Sequence, residues 1–513
     1  MRMAWRHYII ATCLCMGLTL LQVEAICAQD TPPAPESQPQ PEKQTPPPAD
    51  AQTAQPGGNA PQDQAGKDQQ GEKEVKITPR EAEELFHSVD EIMAFDSKHT
   101  GLPIKKEVKR RLTSRDEVVA YLTKHMKDED VKRLERSALV LKKFGLLPRD
   151  YDMEKLLLEL LREEIAGYYD PKTKTVNLLD WVPMEEQEPV MAHELTHALQ
   201  DQDVNLDKWM KKGDRDLGEM KKDPTPQDIE NDEMDDAREA VLEGQAQAMM
   251  FEYALAPTGH SIASSPELVR QMEEETMTET PSTKVFNSAP IFMKESLTFP
   301  YTYGMDFVVK MIETGGKQKA YADVLANPPH TTRQIMQPET YLSGEKIEPM
   351  PVVSFSRDFK NYVKFDIGAM GEFDVALLVE QYAGKKVAKE IYPAWRGGYY
   401  YAARPKNDAS APLGLLYVSR WSNAERACEF AAIYADALQK RYTKLSAKDP
   451  ARAGPTQSPD ADPERRQECL KGRHEWSSEE GEVIIEENMD KVLIIESLDA
   501  GTSEALEKEV FGK

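Results

Sequence analysis

The sequence predicts an α+β protein: a mainly helical part with a short β-sheet edge, followed by a small α+β domain. Three observations predict it. Apolar residues recur at helical spacing through much of residues 77–349, as in Leu85, Val89, Ile92 and Met93. That period breaks at AGYYDPKTKTVNLLD (Ala166–Asp180), where two short β-like runs flank the turn residues Asp170-Pro171-Lys172-Thr173. Beyond residue 350 the texture is mixed, with GGYYYAARP and LGLLYVSRW reading as paired strands.

From the N-terminus, Arg2 and Arg6 precede an apolar run from Tyr8 to Leu21 and small residues at Ala25 and Ala28. This is the pattern of a cleaved export signal over residues 1–28. The run is short for a span of ~20 residues, so membrane contact is expected only through an uncleaved N-terminal segment. The protein is expected to be periplasmic, cell-envelope-bound or secreted. Residues 29–76 are rich in Pro, Gln and Ala and carry too little apolar surface to offset chain entropy, so they read as a disordered linker.

The helical domain is expected over 77–349. Ser114 and Glu117 form a capping box before VVAYL. Leu156, Leu157, Leu160 and Leu161 mark a further amphipathic helix, and the basic run Lys105–Arg111 reads as a solvated helix face. The β-like runs are Gly167–Tyr169 and Thr175–Leu179. A charged stretch, Lys211–Asp232, reads as an exposed loop or lid between two helices. FPYTYGMDFVVKMI begins another helix, and Thr331 with Gln334 caps the next.

Residues 350–513 form the α+β C-terminal domain. Ser422 and Glu425 are expected to cap the helix carrying Cys428, and EVIIEENMDKVLIIESL to form a hairpin turning at Asn488–Asp490. Three of the five cysteines lie in the leader, leaving Cys428 and Cys469. In an oxidising compartment these two are expected to bond and pin the polar loop Ser446–Pro463. The formal net charge of −25, with no long basic stripe, argues against a nucleic-acid partner.

The chemistry concentrates in VMAHELTHALQDQDVNL, Val190–Leu206. Four residues make just over one helical turn, so His193 and His197 share a face and can reach one ion at ~2.0–2.1 Å. Glu194 lies one residue round, placed to take a proton from water held by that ion. Val190, Leu195 and Leu199 supply apolar anchorage for the helix. A third ligand is needed. The positions where a metzincin carries Gly and His hold Gln200 and Asp203, which excludes that class. The segment AVLEGQA offers Glu243, with Gly244 expected to let its helix approach the metal helix. Glu239, one turn earlier, is the rival or an outer-shell partner.

HELTH followed by LEGQA resembles the gluzincin class of zinc metallopeptidases. GLLPRDYD, AGYYDPKTKTVNLLD, HELTHALQDQ and EGQA together resemble a family of uncharacterised bacterial metallopeptidases, over roughly residues 140–440. The resemblance implies a zincin-like domain with one Zn2+ at His193, His197 and Glu243, and Glu194 as base. It implies that Thr175–Leu179 acts as an edge strand pairing with a substrate backbone. It also implies a Tyr or His donor to the oxyanion, for which Tyr303 is the first candidate, with Tyr301, His260 and His330 as alternatives. The expected activity is that of an exported peptidase acting on protein or peptide substrates by Glu-assisted attack of zinc-bound water. The competing reading is a non-catalytic, zinc-stabilised binding or scaffold protein of the cell envelope, which would call for a fourth protein ligand.

Overall fold

The computed structural model describes residues 76–125, 128–153, 155–156, 159, 167–182, 184–211, 216–265, 267–268, 272, 284–448 and 469–512. The expected export signal, nearly all of the linker, most of the loop Ser446–Pro463, and Leu157, Leu160 and Leu161 lie outside the described residues.

The chain is α+β: a helical region with a three-stranded sheet, then a seven-stranded antiparallel sheet. Helix α1 (Pro79–Thr100) starts at a Thr78/Glu81 capping box and buries Leu85, Val89, Ile92 and Met93. Gly101, in the left-handed region, ends it. Residues 109–113 correct the expected helix face: they form strand β1 (Lys109–Thr113), parallel to β3 (Thr175–Leu179). Leu112 packs against the core, and Arg110 turns back to Phe86 and Asp90 on α1. Its positive charges therefore flank a buried ladder rather than a helix. Helix α2 (Asp128–Phe144) follows.

Strand β2 (Tyr168–Asp170) runs antiparallel to β3, with Tyr168 opposite Asn177. The order β1-β3-β2 makes Thr175–Leu179 the central strand. This overturns its expected role as the edge: both of its flanks already carry ladders, so no backbone groups remain for an incoming strand. The edges are β1 and β2.

Helix α3 (Met184–Val204) carries the histidines, and α5 (Met234–Leu255) carries Glu243. Between them, the expected exposed loop is in its described part docked rather than free. Leu217 and Ile229 are buried beside the large sheet, and Lys364 donates to the Leu217 and Met220 carbonyls. Asp216 pairs with Arg136, and Thr225 caps the short helix α4 (Pro226–Asp232). Charged residues of this stretch thus cap a short helix or pair with arginines of α2, while its backbone carbonyls accept from strand β4 (Tyr362–Ala369).

Helix α6 (Ile291–Gln318) begins earlier than its FPYTYG segment and is broken at Gly315–Gly316, where Gly316 has φ +67°. The chain resumes as a π-helical turn, Lys319–Asp323.

The large sheet has the order β4-β5-β6-β10-β9-β8-β7. Its other strands are β5 (Trp395–Pro405), β6 (Gly414–Trp421), β7 (Leu445–Ala447), β8 (Gly472–Ser478), β9 (Gly481–Asn488) and β10 (Lys491–Glu496). The pairing of β5 with β6 and the β9–β10 hairpin are as expected. Helices α7 (Glu372–Ala383) and α8 (Ala424–Arg441) pack against the sheet. Asn423, not Ser422, caps α8, accepting from the Arg426 amide at 2.9 Å. Cys428 and Cys469 form the expected disulfide.

A single apolar cluster runs from Leu85 and Phe144 through Leu195, Leu199, Val241 and Phe307 to Phe373, Tyr417, Phe430 and Ile494, joining helices to sheet. Buried charge joins them too. The fully buried Glu496 takes two hydrogen bonds from Arg441 (2.9 and 2.6 Å) and one from Tyr434 (2.7 Å), with Lys143 of α2 at 3.6 Å.

Candidate metal centre

Helix α3 is buried on nearly every face from Gln187 to Asp201, so each of its polar side chains must find a partner. Gln187 exchanges hydrogen bonds with the backbone of Leu179, accepting at 3.1 Å and donating at 3.0 Å, which fixes the start of the helix to β3. Asp201 accepts from Tyr169 Oη (2.8 Å) and Lys174 Nζ (2.5 Å), tying the other end to β2 and the turn. Leu195 and Leu199 are fully buried, each side chain contributing ~1.5–3 kcal/mol.

Between these anchors His193 and His197 share one face. Their Nε2 atoms lie 3.1 Å apart, and Glu243 Oε2 is 3.1 Å from His193 Nε2 and 3.4 Å from His197 Nε2. Bond lengths of ~2.0–2.1 Å and tetrahedral angles put neighbouring ligand atoms ~3.3 Å apart. The observed triangle fits such an ion without rearrangement. Three potential ligand atoms this close in a buried site form a group that could hold one metal ion. All three residues are at most 2% exposed.

The electrostatics agree. Burial alone would raise the Glu243 carboxyl, yet the two imidazoles hold it down to about 2. Burial alone would lower His197, yet Glu243, with Glu194 behind it, holds it up to about 9. Burial dominates at His193 and keeps it below the usual imidazole value. The two imidazoles and the carboxylate thus hold one another's charge in a site closed to water.

Glu194 is 1% exposed, and the backbone at Gly167, just before β2, lies against its side chain: a Cβ there would be 3.7 Å from Glu194 Cγ. Glu239 is buried but outside the three-residue group. Gly244 does not face the metal helix. It faces α6, where an added Cβ would lie 2.2 Å from the Gly304 backbone. Adjacent helical residues point ~100° apart, so once Glu243 faces α3 its neighbour must face elsewhere.

Of the two tyrosines, Tyr301 stacks beside the centre, its ring centroid 6.1 Å from that of His193. Tyr303 packs against Phe299 and Phe373 instead. His260 bonds Ser265, and His330 is exposed, with its amide donating to Gln334.

Sequence reasoning missed two buried amides. Gln200 Oε1 lies 2.8 Å from His197 Nδ1, and Gln245 lies behind Gln200 at 2.9 Å. The i to i+3 spacing of His197 and Gln200, which places them on one helix face, was the available signal.

No helix among the described residues is long and apolar enough to cross a membrane. The disulfide suits an oxidising compartment. Comparison with known protein families, with curated proteins and with solved structures finds no match in any of the three.

Proposed function

We propose that the chain is an exported zinc-dependent metallopeptidase of gluzincin type. The observation that carries this reading is the buried triangle of His193, His197 and Glu243 ligand atoms with Glu194 next along the same helix. These three residues would hold one zinc ion. When bound, the ion acts as a Lewis acid and acidifies water at neutral pH. Glu194 accepts a proton from the attacking water and returns it to the leaving nitrogen. Tyr301, stacked beside His193, is better placed than Tyr303 to donate to the oxygen on which charge develops. A peptide would add to the antiparallel edge β2, whose approach at Gly167 lies against Glu194.

A structural zinc normally has four protein ligands. Here the ligand group among the described residues has three, with a carboxylate beside it, which favours the enzyme over the scaffold.

The test is metal content and peptide cleavage in the purified protein. Wild type should hold about one zinc per chain, and Glu194→Gln should keep the zinc and lose at least ~100-fold in cleavage rate. A Glu194→Gln protein that cleaves as fast as wild type would overturn the assignment.

A further inference from the structure

Imidazole binds a metal through a nitrogen that carries no proton, so a ligand histidine must keep its proton on the other nitrogen. In His197 the nitrogen facing Glu243 is Nε2, and the proton must therefore sit on Nδ1. A chain of hydrogen bonds with only one allowed direction enforces this. It begins at the π-helical turn after α6. There the carbonyls of Ala320 and Tyr321 lie 2.7 and 3.2 Å from Gln245 Nε2. Carbonyls only accept, so Gln245 must present its NH2 group to them, and its Oε1 points the other way. That oxygen lies 2.9 Å from Gln200 Nε2, which also donates to the Leu242 carbonyl at 3.0 Å. Gln200 Oε1 is then left as an acceptor 2.8 Å from His197 Nδ1. Flipping either amide would set oxygens against oxygens in a fully buried site, since both glutamines are 0% exposed.

Resting on the metal centre proposed above, we propose that Gln200, itself oriented by Gln245, is the positioning residue that holds His197 in its metal-binding tautomer. The backbone of the π-helical turn sets the direction of the whole relay. Amides suit this place better than carboxylates. Glu194 and Glu243 already bring two anionic groups to the pocket, and a third buried anion would face the Leu242 carbonyl and the Gln245 oxygen.

The relay makes a prediction that mere packing does not: its members act on the metal through His197 and act as a unit. The full chain carrying Gln200→Met, and separately Gln245→Met, keeps side-chain length and helix propensity while removing the acceptor. Zinc affinity is measured by competition with a chromophoric chelator, and ligand geometry by the visible spectrum of the Co2+ form. Each variant should bind zinc 10–100-fold more weakly than wild type, with a shifted Co2+ spectrum. The double variant should lose less than the product of the two single losses. Thr196→Val, which removes an equally buried hydroxyl bonded only to the Ala192 carbonyl, should leave both readouts unchanged. Should Gln200→Met fail to fold, Gln245→Met, which does not touch the ligand, decides the matter alone.

Wild-type zinc affinity and spectrum in the folded glutamine variants would overturn the relay. A wild-type chain that binds no zinc would overturn it together with the metal centre. A wild-type chain that binds zinc but cleaves no peptide would sink the peptidase reading alone, because affinity and spectrum still report on the relay.

Discussion

Gly244 and Gly304 meet where α5 crosses α6, so closely that a Cβ on either would come within 2.2 Å of the opposite helix backbone. No side chain can be accommodated there without pushing the helices apart. Gly304→Ala should cost ~1–3 kcal/mol or more through overpacking. It should also weaken zinc binding, because Glu243 precedes Gly244 on the displaced helix. Thermal unfolding with and without metal, alongside a zinc titration, checks both effects. An unchanged melting temperature would mean that the two helices do not touch at these glycines.

The two tyrosines of FPYTYG separate by position. Tyr301 stacks beside His193, while Tyr303 lies among Phe299 and Phe373. Tyr301→Phe should lower kcat ~10–1,000-fold with little change in KM, as expected for a donor used only in the transition state. Tyr303→Phe should leave kcat within a few-fold of wild type. The reverse pattern in steady-state kinetics would return the role to Tyr303.

Two buried glutamates set opposite pH slopes. Burial opposes ionisation of Glu496, but Arg441 and Lys143 hold it down to about 2. Its folded value lies below its ordinary one, so its stabilisation is complete above pH ~4.5 and is lost as pH falls toward 2. Glu233 is pushed up to about 8 by burial, despite hydrogen bonds from the Thr332 amide and hydroxyl. Between its ordinary value of 4.5 and about 8 the folded state keeps a proton that the unfolded state has released, so stability falls as pH rises through that window. Urea midpoints should therefore decline on both sides of pH ~5. Glu233→Gln should make the alkaline decline shallower, the remainder coming from Asp366 and Glu372, which burial pushes up to about 6 and about 7, and Glu496→Gln should cost on the order of 3 kcal/mol at neutral pH. A wild-type midpoint that rises steadily from pH 5 to 8 would contradict the Glu233 assignment.

The Cys428–Cys469 bond closes a loop spanning 41 positions. Loop-closure entropy puts its contribution at ~4 kcal/mol. Replacing both cysteines with serine should lower stability by up to that amount and leave zinc content unchanged. Denaturation with and without reductant, followed by metal analysis, measures both.

What was legible in the sequence was local. HELTH places two imidazoles on one face by helix geometry alone, and Glu243 lies on a helix whose apolar pattern is plain. The β5–β6 pair and the hairpin at Asn488–Asp490 likewise carry short-range signals. What was not legible depends on partners distant in the chain. KRRLT looks like a basic surface until Thr175–Leu179 pairs with it in parallel, and that pairing moves β3 from edge to centre. The Lys211–Asp232 stretch looks solvated until Lys364 and Arg136 supply its counter-groups. In the sequence Gln200 marks only the absence of a metzincin glycine, and its bond to His197 depends on carbonyls more than a hundred residues away.

The cluster that joins helices to sheet bears on any attempt to divide the protein. A fragment ending at residue 349 would lose the apolar surfaces of Phe373, Tyr417 and Phe430, and it would strand Lys143 and Arg333 without Glu496 and Glu372. Expressed separately, the two halves should be insoluble or molten. Mixed during refolding, they should complement each other, and the metal centre should assemble only in the complemented pair.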